Sequence, residues 1–209
     1  MPLRALILAG GKSRRLGRDK AAESIGGNNL LARTAFLAAS LCPEVWISGR
    51  DPAPHGLNLH WIADTVPGLG PMGGVATGLE RLRGPLLVLA CDMPLLNAPV
   101  LETLVRHRNL RPPGTAATTY IQAETGFLES LVAIYEEESL SLIRNALSRR
   151  DYKLANAIPR QRLHTIPYTR EQALPFFNIN FPQDMAMLDA YLRLHALHPS
   201  TPAPETAIA

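Results

Sequence analysis

Short apolar runs alternate with longer amphipathic stretches through the first half of the chain. The apolar runs lie at residues 6–9, 45–47, 57–62 and 85–90. They are typical of buried strands because they are only a few residues long and end at Gly, Ser, Pro or Asp. The amphipathic stretches have helical spacing and lie at residues 28–41, 75–82 and 98–108. Strands that alternate with helices indicate an α/β protein, with a parallel sheet and helices on both faces.

The second half of the chain has a less regular pattern. Predicted strands lie at residues 115–121, 128–134 and 163–168, and a helix at residues 136–149. A further helix is predicted to begin at Pro182, because proline is favoured at the first helical position. No linker divides the chain, so we predict one domain over residues 1–198. The proline-rich residues 199–209 are predicted to form a flexible tail.

Composition and charge exclude several classes of protein. The 209 residues are 46% hydrophobic and 19% charged, and the net charge of +3 is small and not concentrated in one run, so a nucleic-acid partner is not expected. Only two cysteines, Cys42 and Cys91, are present and they lie far apart, which favours a reducing compartment over a disulfide framework or zinc site. The first apolar run is too short for a signal peptide or membrane span. We therefore predict a cytoplasmic protein without a membrane partner.

The first apolar run ends abruptly in a basic, glycine-rich loop. Gly10 and Gly11 follow the run, Ser13 comes next, and five cationic side chains lie between residues 12 and 20. Glycines let the backbone approach a ligand and turn its N–H groups inward, and the cations suit an anion of several charges. The loop therefore predicts phosphate binding, with the two glycines and the serine as nucleotide contacts.

Two common phosphate-binding motifs do not match this loop. A Walker A loop requires G-x-x-x-x-G-K-[ST], but Gly17 is followed by an arginine. The dinucleotide fingerprint G-x-G-x-x-G fails because the first two glycines are adjacent. We assign Lys20 and Arg15 to the phosphates, as a point charge and a planar fork, and the other cations to solvent. The alternative is a surface loop whose charges are all solvated.

Asp92 is the strongest candidate for catalysis. It directly follows the most apolar of the predicted strands. Ligands of parallel sheets bind at the carboxyl ends of the strands, where this carboxylate would lie near the basic loop. Carboxylate oxygens suit Mg²⁺, which also binds substrate phosphates. We predict Asp92 as a magnesium ligand, against the alternative of an aspartate that caps a turn or helix.

Other polar residues follow the neighbouring strands. Ser48 ends the second predicted strand and Asp64 follows the third, so both are expected at the same edge of the sheet. Asp64 either accepts hydrogen bonds from a base or ribose or caps the turn that follows it. The segment 68–74, which includes Gly73, either packs against a flat base or simply connects strand and helix.

The residues taken alone favour direct transfer at phosphorus. Neither cysteine has a recognisable base partner in the sequence, and the histidines show no ligand spacing. In phosphoryl-type transfer, positioning and electrostatics supply most of the catalysis. Asn178 and Asn180, taken alone, are predicted as turn amides at the end of a strand.

Four blocks of the sequence resemble one family. The first, Leu8-Ala9-Gly10-Gly11-x-Ser-x-Arg-Leu-Gly-x-Asp-Lys, is similar to the nucleotidyltransferase signature in the form found in molybdenum cofactor guanylyltransferases. The others follow in the family's order: Gly70-Pro71-Met72-Gly73-Gly74, Cys91-Asp92-Met93-Pro94 and Phe177-Asn178-Ile179-Asn180-x-Pro182-x-Asp184. The resemblance covers residues 3–190. It implies a Rossmann-like, three-layer α/β/α nucleotidyltransferase fold with a mainly parallel sheet.

The resemblance also implies a reaction and the residues that perform it. GMP from GTP would be joined to molybdopterin, giving the guanine dinucleotide cofactor and pyrophosphate, with Mg²⁺ as cofactor and molybdoenzymes or their chaperones as candidate partners. The catalytic candidates are then Lys20, Arg15 and Asp92. The family's binding residues correspond to Leu8, Ala9 and Gly10 for the nucleotide, Lys20 for its phosphates, Asp64 for the guanosine, Asp92 for Mg²⁺, and Asn178 and Asn180 for the pterin.

Two positions depart from the family pattern. The family commonly has asparagine at the end of the second strand, where this chain has Ser48-Gly49. A serine replaces one hydrogen bond but not the donor and acceptor pair of an amide. Where the family has Pro-Leu, this chain has Glu129-Ser130-Leu131. A transferase that uses CTP or another phosphorylated acceptor, and a non-catalytic nucleotide-binding relative, therefore stay open as alternatives.

Overall fold

Strands and helices alternate through the first half of the chain, as predicted. The structure, a computed structural model, describes residues 1–10, 19–25 and 27–197. Its strands are β1 (Arg4–Leu8), β2 (Ser24–Ile25), β3 (Asn28–Asn29), β4 (Val45–Ser48), β5 (His60–Ile62), β6 (Leu86–Ala90), β7 (Ala117–Gln122), β8 (Leu128–Tyr135) and β9 (Leu163–Tyr168). Its α-helices are α1 (Leu30–Ala39), α2 (Gly70–Leu82), α3 (Ala98–Asn109), α4 (Ser139–Ser148), α5 (Leu154–Ala157) and α6 (Pro182–Leu197).

Seven of these strands form one sheet in the order β5-β4-β1-β6-β8-β7-β9. The pairs β5–β4, β4–β1, β1–β6 and β7–β9 are parallel, whereas β8 runs antiparallel to both of its neighbours. The sheet is mainly parallel, as predicted. The carboxyl ends of β1, β4, β5 and β6 lie at one edge, and the register places Leu8 beside both Ser48 and Ala90.

Helices cover both faces of this sheet. On one face, Leu31 of α1 and Leu101 of α3 belong to the same buried cluster as Ile7 of β1. On the other face, Val75 of α2 and Ile143 of α4 are buried in a second cluster. Strand β6, in the middle of the sheet, is buried along its whole length, as expected for a strand that packs on both faces. These layers confirm the predicted three-layer α/β fold.

Helix α2 begins earlier than predicted. We expected a connection over residues 68–74 and a helix from residue 75, but α2 starts at Gly70, so the next four residues form its first turn and not a loop. Pro71 fits there because the first turn of a helix leaves its N–H groups without intrahelical partners. Glycine further along α2 brings the helix close to the sheet, since a Cβ at Gly78 would lie 2.5 Å from Leu6 Cδ2. The glycines that suggested a loop from the sequence therefore belong to a closely packed helix.

Asn178 and Asn180 do not lie at the end of a strand, and that prediction is wrong. A 3-10 turn spans Leu174–Phe176, and the backbone from residue 177 to residue 180 is irregular. Pro175 within the turn has no N–H to donate to a neighbouring strand. The apolar character of this segment serves the core instead, because the Phe176 ring packs on two tyrosine rings of the sheet.

The same irregular segment is attached to the carboxyl end of β6. The backbone N–H of Ile179 donates to the carbonyl of Asp92 at 2.9 Å. Helix α6 then begins at Pro182, as predicted. The Asp184 carboxylate accepts hydrogen bonds from the backbone N–H groups of Asn180 and Phe181 at 2.7 and 2.8 Å, and so stabilises the start of this helix.

Other predicted boundaries move by a few residues. Helix α1 is shorter than the stretch 28–41, β5 starts three residues after residue 57, and α4 starts three residues after residue 136. Among the described residues, no helix is both long and apolar enough to cross a membrane. The predicted tail, residues 199–209, lies outside the described residues, and the domain boundary at residue 198 stays a prediction.

Candidate active site

A cavity of about 790 Å³ opens at the carboxyl ends of β1, β4, β5 and β6. Its walls come mainly from the ends of these four strands and the segments that follow them, with further contributions from the first turn of α2 and from Leu131 of β8. Most of the predicted site residues that the structure describes lie in its walls. They are Leu8, Ala9, Gly10, Lys20, Ser48, Asp64 and Asp92. The expected convergence at one edge of the sheet is therefore present.

The remaining nucleotide-binding candidates are placed differently. Gly73 lies outside the cavity lining, and a Cβ there would be 2.8 Å from Leu69 Cβ, so its lack of a side chain serves helix packing. Its neighbour Gly74 lines the cavity instead, and a Cβ there would be 2.7 Å from Ser48 Oγ. Gly11, Ser13 and Arg15 lie outside the described residues and stay predictions.

Lys20 connects the two halves of the candidate site. Its Nζ lies 2.7 Å from Asn180 Oδ1 and 3.3 Å from Asp92 Oδ2. The lysine begins a 3-10 turn, Lys20–Ala22, at which the Asp19 side chain accepts a hydrogen bond from the N–H of Ala21. The ammonium group at the end of the basic loop thus contacts both the carboxylate that follows β6 and the asparagine that precedes α6. Asn178 lies two residues before Asn180 and is half-buried.

One oxygen of Asp92 fits a metal ion. Asp92 Oδ1 is buried and has no hydrogen-bond partner among the described residues. A buried carboxylate oxygen without a donor is costly, and a divalent cation would satisfy it. The described residues contain no group of three or more His, Cys, Asp or Glu side chains suited to a metal. A cation at Asp92 would therefore take most of its ligands from water and substrate phosphates, which is the coordination typical of Mg²⁺.

Ser48 and Asp64 form a polar pair in the cavity lining, at the carboxyl ends of β4 and β5. The Ser48 hydroxyl donates to Asp64 Oδ1 at 3.1 Å. Gly74 faces both side chains, since a Cβ on it would lie 3.6 Å from that same carboxylate oxygen. The serine that replaces the family's asparagine thus orients the carboxylate assigned to the guanosine. The two side chains therefore lie together beside the first turn of α2.

Arg50 also lines the cavity and was not among the candidates. Its Nε donates to the carbonyl of Ala9 at 2.7 Å, and its Nη1 lies 2.6 and 2.7 Å from the two carboxylate oxygens of Asp19. Burial raises the pKa of the Asp19 carboxyl, but the hydrogen bond and charge of Arg50 outweigh it and hold the pKa below its usual value. Nothing in the sequence distinguishes Arg50 from a solvated arginine after a strand.

A buried acid lies where the chain departs from the family's Pro-Leu. Glu129 of β8 is buried and accepts a hydrogen bond from the hydroxyl of Tyr168. Burial raises the pKa of the Glu129 carboxyl, and the tyrosine hydrogen bond opposes that shift only in part. Two residues further along β8, Leu131 lines the cavity. The departure therefore lies next to the cavity wall, on the strand beside β6.

The cysteine nearest to Asp92 is unsuited to nucleophilic catalysis. Cys91 is buried, and burial, followed by the adjacent Asp92 charge, raises the pKa of its thiol to about 12. The thiolate is the nucleophilic form of cysteine, so this side chain stays unreactive at neutral pH. The site is suited to direct transfer between two substrates.

Gly49 allows the ends of β1 and β4 to touch. Its φ is +89°, and an added Cβ would lie 2.6 Å from Gly10 Cα. We expect Gly49→Ala to lower the free energy of unfolding by about 1–3 kcal/mol, because it combines backbone strain with a clash against backbone. Urea denaturation measures this loss. Gly56→Ala is the matched control, since Gly56 has a φ of +76° with nothing within 4 Å of the added atom. Equal losses in the two variants would mean that the contact with Gly10 has no effect.

Comparisons with known proteins identify the family to which this chain is similar. The family model described as the MobA-like NTP transferase domain matches residues 5–165. A probable molybdenum cofactor guanylyltransferase of Chloroflexus aggregans is 31% identical, over 92% of this chain and 96% of that protein. One of Synechococcus elongatus is 35% identical, over 73% of this chain and 82% of that protein.

A solved structure shares the fold. Molybdopterin-guanine dinucleotide biosynthesis protein A of Archaeoglobus fulgidus superposes with a TM-score of 0.73 at 23% identity, covering 91% of this chain and 99% of that chain. The family model and the relatives span most of the chain, including the strands and loops that form the cavity. This chain belongs to the MobA-like NTP transferase family.

Proposed function

We propose that the protein is a molybdenum cofactor guanylyltransferase, which transfers GMP from GTP to molybdopterin and releases pyrophosphate. The observation that carries the proposal is the position of Lys20, whose Nζ contacts both Asp92 and Asn180. The family resemblance assigns these two residues to the nucleotide and pterin sides of the reaction. Relatives named as molybdenum cofactor guanylyltransferases cover most of the chain and support the same reaction.

The reaction joins two substrates at the α-phosphorus of GTP. An oxygen of the terminal phosphate of molybdopterin attacks this phosphorus and forms the new P–O bond. The bond from the α-phosphorus to the bridging oxygen breaks, and its electron pair leaves with pyrophosphate. Charge builds on the leaving group, and Lys20 and the predicted contact Arg15 offset it. Asn178 and Asn180 would orient the acceptor from the other side.

Asp92 would hold Mg²⁺ in this proposal. Its buried Oδ1 has no hydrogen-bond partner among the described residues, which also contain no group of three or more His, Cys, Asp or Glu side chains suited to a metal. When bound, Mg²⁺ supplies positive charge that neutralises phosphate oxygens. Asp92 and Lys20 lie side by side, so the metal ligand and the phosphate-binding cation would act on the same group.

Guanine fits the polar pair Ser48–Asp64 better than cytosine does. The pairing edge of guanine carries two adjacent N–H donors, whereas that of cytosine carries one donor and two acceptors. A carboxylate is an acceptor-only group that can receive both guanine donors. The Ser48 hydroxyl holds Asp64 Oδ1 in place for this contact. The serine therefore replaces the family's asparagine indirectly, by orienting the acid.

Pyrophosphate release with each of the four NTPs, in the presence of molybdopterin, tests the proposal. We expect GTP to support turnover at least tenfold better than CTP, which corresponds to about 1.4 kcal/mol and hence to roughly one good hydrogen bond. Equal or better use of CTP would identify a cytidylyltransferase. Turnover with GTP and a different phosphorylated acceptor would identify another acceptor. Binding of GTP without turnover would indicate a regulatory relative.

The proposed activity also implies a compartment and recipients. GTP and a reducing environment are both features of the cytoplasm, and the two cysteines are buried and free. We place the protein there. Its product would pass to molybdoenzymes or to their chaperones.

A further inference from the structure

Arg50 joins the two ends of the basic loop. Gly10 is the first residue of this loop and Asp19 lies at its other end, directly before Lys20. Arg50 Nε donates to the carbonyl of Ala9 at 2.7 Å, one residue before Gly10, and Nη1 binds the Asp19 carboxylate at 2.6 Å. One guanidinium therefore contacts both Ala9, which directly follows β1, and Asp19, which directly precedes Lys20. A planar guanidinium with several donors is well suited to both contacts at once.

Asp19 links Arg50 to the 3-10 turn that carries Lys20. The Asp19 Oδ1 accepts the N–H of Ala21 at 3.1 Å, so the aspartate caps the 3-10 turn that starts at Lys20. Asp19 Oδ1 and Oδ2 both contact Arg50. The position of the arginine thus sets the position of the turn, and the turn sets the direction in which the lysine side chain leaves the backbone.

Arg50 is itself held in place by the surrounding fold. His55 Nε2 lies 3.2 Å from Arg50 Nη1, and the His55 carbonyl accepts a hydrogen bond from Asn29 Nδ2 at 3.0 Å. Asn29 in turn caps helix α1 through the N–H of Ala32. Arg50 also follows directly after Gly49, whose backbone touches Gly10. The guanidinium is therefore fixed against β1, β4 and α1 before any substrate binds.

We propose that Arg50 is a positioning residue for the transfer reaction, holding Lys20 through Asp19 at the point where its ammonium group meets Asp92 and Asn180. The proposal rests on the proposed function, because Lys20 matters as a phosphate-binding cation between the two substrates. Arg50 does not need to touch either substrate. A displacement of about 1 Å in a catalytic group costs about 100-fold in rate, so a residue that fixes such a group is important even at a distance.

A double-mutant cycle between Arg50 and Lys20 tests this route. Arg50→Ala, Lys20→Ala and the double variant are compared in kcat and in KM for GTP. We expect Arg50→Ala alone to lower kcat by about 10- to 100-fold. In the Lys20→Ala background, the same substitution should cost less than about threefold, since there is no ammonium group left to position. If the fold-losses in kcat of the two single variants multiply fully in the double variant, Arg50 acts independently of Lys20, which would overturn the proposal.

Arg4→Ala is the matched control. Arg4 lies at the other end of β1 and makes the same kinds of contact, with Glu44 Oε2 at 3.0 Å and with the carbonyls of Leu82 and Arg83 at 3.2 and 3.1 Å. Both substitutions remove stabilising contacts, so both variants should have a lower melting temperature. We expect kcat to fall in Arg50→Ala and to stay unchanged in Arg4→Ala. An equal loss of kcat in the two variants, together with equal losses of melting temperature, would reduce Arg50 to a stabilising residue and contradict the proposal.

Two additions keep the test decisive. If Arg50→Ala does not fold, Asp19→Asn replaces it, because the amide oxygen still caps the turn but the ionic contact with Arg50 is lost. The same double-mutant cycle with Lys20 then applies.

If wild-type protein binds GTP but forms no product with molybdopterin, the proposed function fails. The cycle is then measured as the dissociation constant of GTP by calorimetry. If the Arg50 and Lys20 substitutions have coupled effects on this dissociation constant, the positioning role is supported independently of the transfer reaction. Additive losses of binding free energy would overturn it.

Discussion

Asp92→Asn is expected to reduce turnover by about 10³-fold while the protein stays folded. A bound metal contributes several kcal/mol to transition-state stabilisation, and each 1.4 kcal/mol or so corresponds to a factor of ten in rate. The asparagine has the same shape but no negative charge, so it is a poor ligand for Mg²⁺. The initial rate of pyrophosphate release with GTP and molybdopterin measures the loss.

The fold should tolerate this substitution for specific reasons. The Asp92 carbonyl, which accepts the N–H of Ile179, is unchanged. The amide oxygen of the variant can still accept a hydrogen bond from Lys20 Nζ. A melting curve should therefore resemble that of the wild type, and a large decrease would indicate that turnover was lost through unfolding.

GTP binding in the presence and absence of Mg²⁺ separates metal binding from other roles of Asp92. In the wild type, Mg²⁺ should tighten GTP binding, and in Asp92→Asn the metal should have little effect. Asp151→Asn is the control, since Asp151 lies outside the cavity lining, where its carboxylate accepts hydrogen bonds from the Lys153 N–H and from Asn156 Nδ2. Unchanged turnover in Asp92→Asn would contradict the assigned mechanism.

Asp92 was predictable because the strand before it is unmistakable in the sequence. A run of five buried apolar residues in β6 leaves little doubt about where the strand ends. Parallel pairing with β1 then places its carboxyl end beside the basic loop. Both steps depend on local pattern and on general rules for parallel sheets. Ser48 and Asp64 follow from the same two steps.

The contact between Lys20 and Asn180 was not predictable by these means. The two residues are 160 positions apart, and Asn180 belongs to an irregular segment and not to a strand of the sheet. Its place is set by the Ile179–Asp92 hydrogen bond and by the packing of Phe176 in the core. Neither contact leaves a periodic pattern. Only the family resemblance pointed to Asn180 as part of the site.

Arg50 and α2 show two further limits of sequence patterns. A single arginine after a strand is usually solvated, and nothing in the sequence reveals that this one contacts Ala9 and Asp19. The pattern of glycine and proline at the start of α2 predicts a loop instead of a helix. The helix forms because Pro71 occupies its first turn and because Gly74 and Gly78 let it pack closely on β1, gains that depend on tertiary contacts.

Lys20→Ala is expected to weaken GTP binding by about 1.5–3 kcal/mol, or about 10- to 150-fold in the dissociation constant, since it removes a charged contact from a largely buried site. The Lys20 and Asp92 side chains are only 16% and 22% exposed. Solvent therefore screens the ammonium group less than it screens a surface lysine. Calorimetric titration with GTP measures the change.

The chemical step should suffer as well, because Lys20 lies between the metal-binding candidate and the acceptor side. Lys20→Arg retains the charge, but its planar fork cannot occupy the position of a compact ammonium group between Asp92 and Asn180, so rescue should be partial. Lys153→Ala, which removes an exposed lysine outside the cavity lining, should leave both GTP affinity and turnover unchanged. If Lys20→Ala bound GTP as tightly as the wild type, the phosphate assignment would be wrong. The same result combined with slower turnover would place Lys20 on the acceptor instead, through its contact with Asn180.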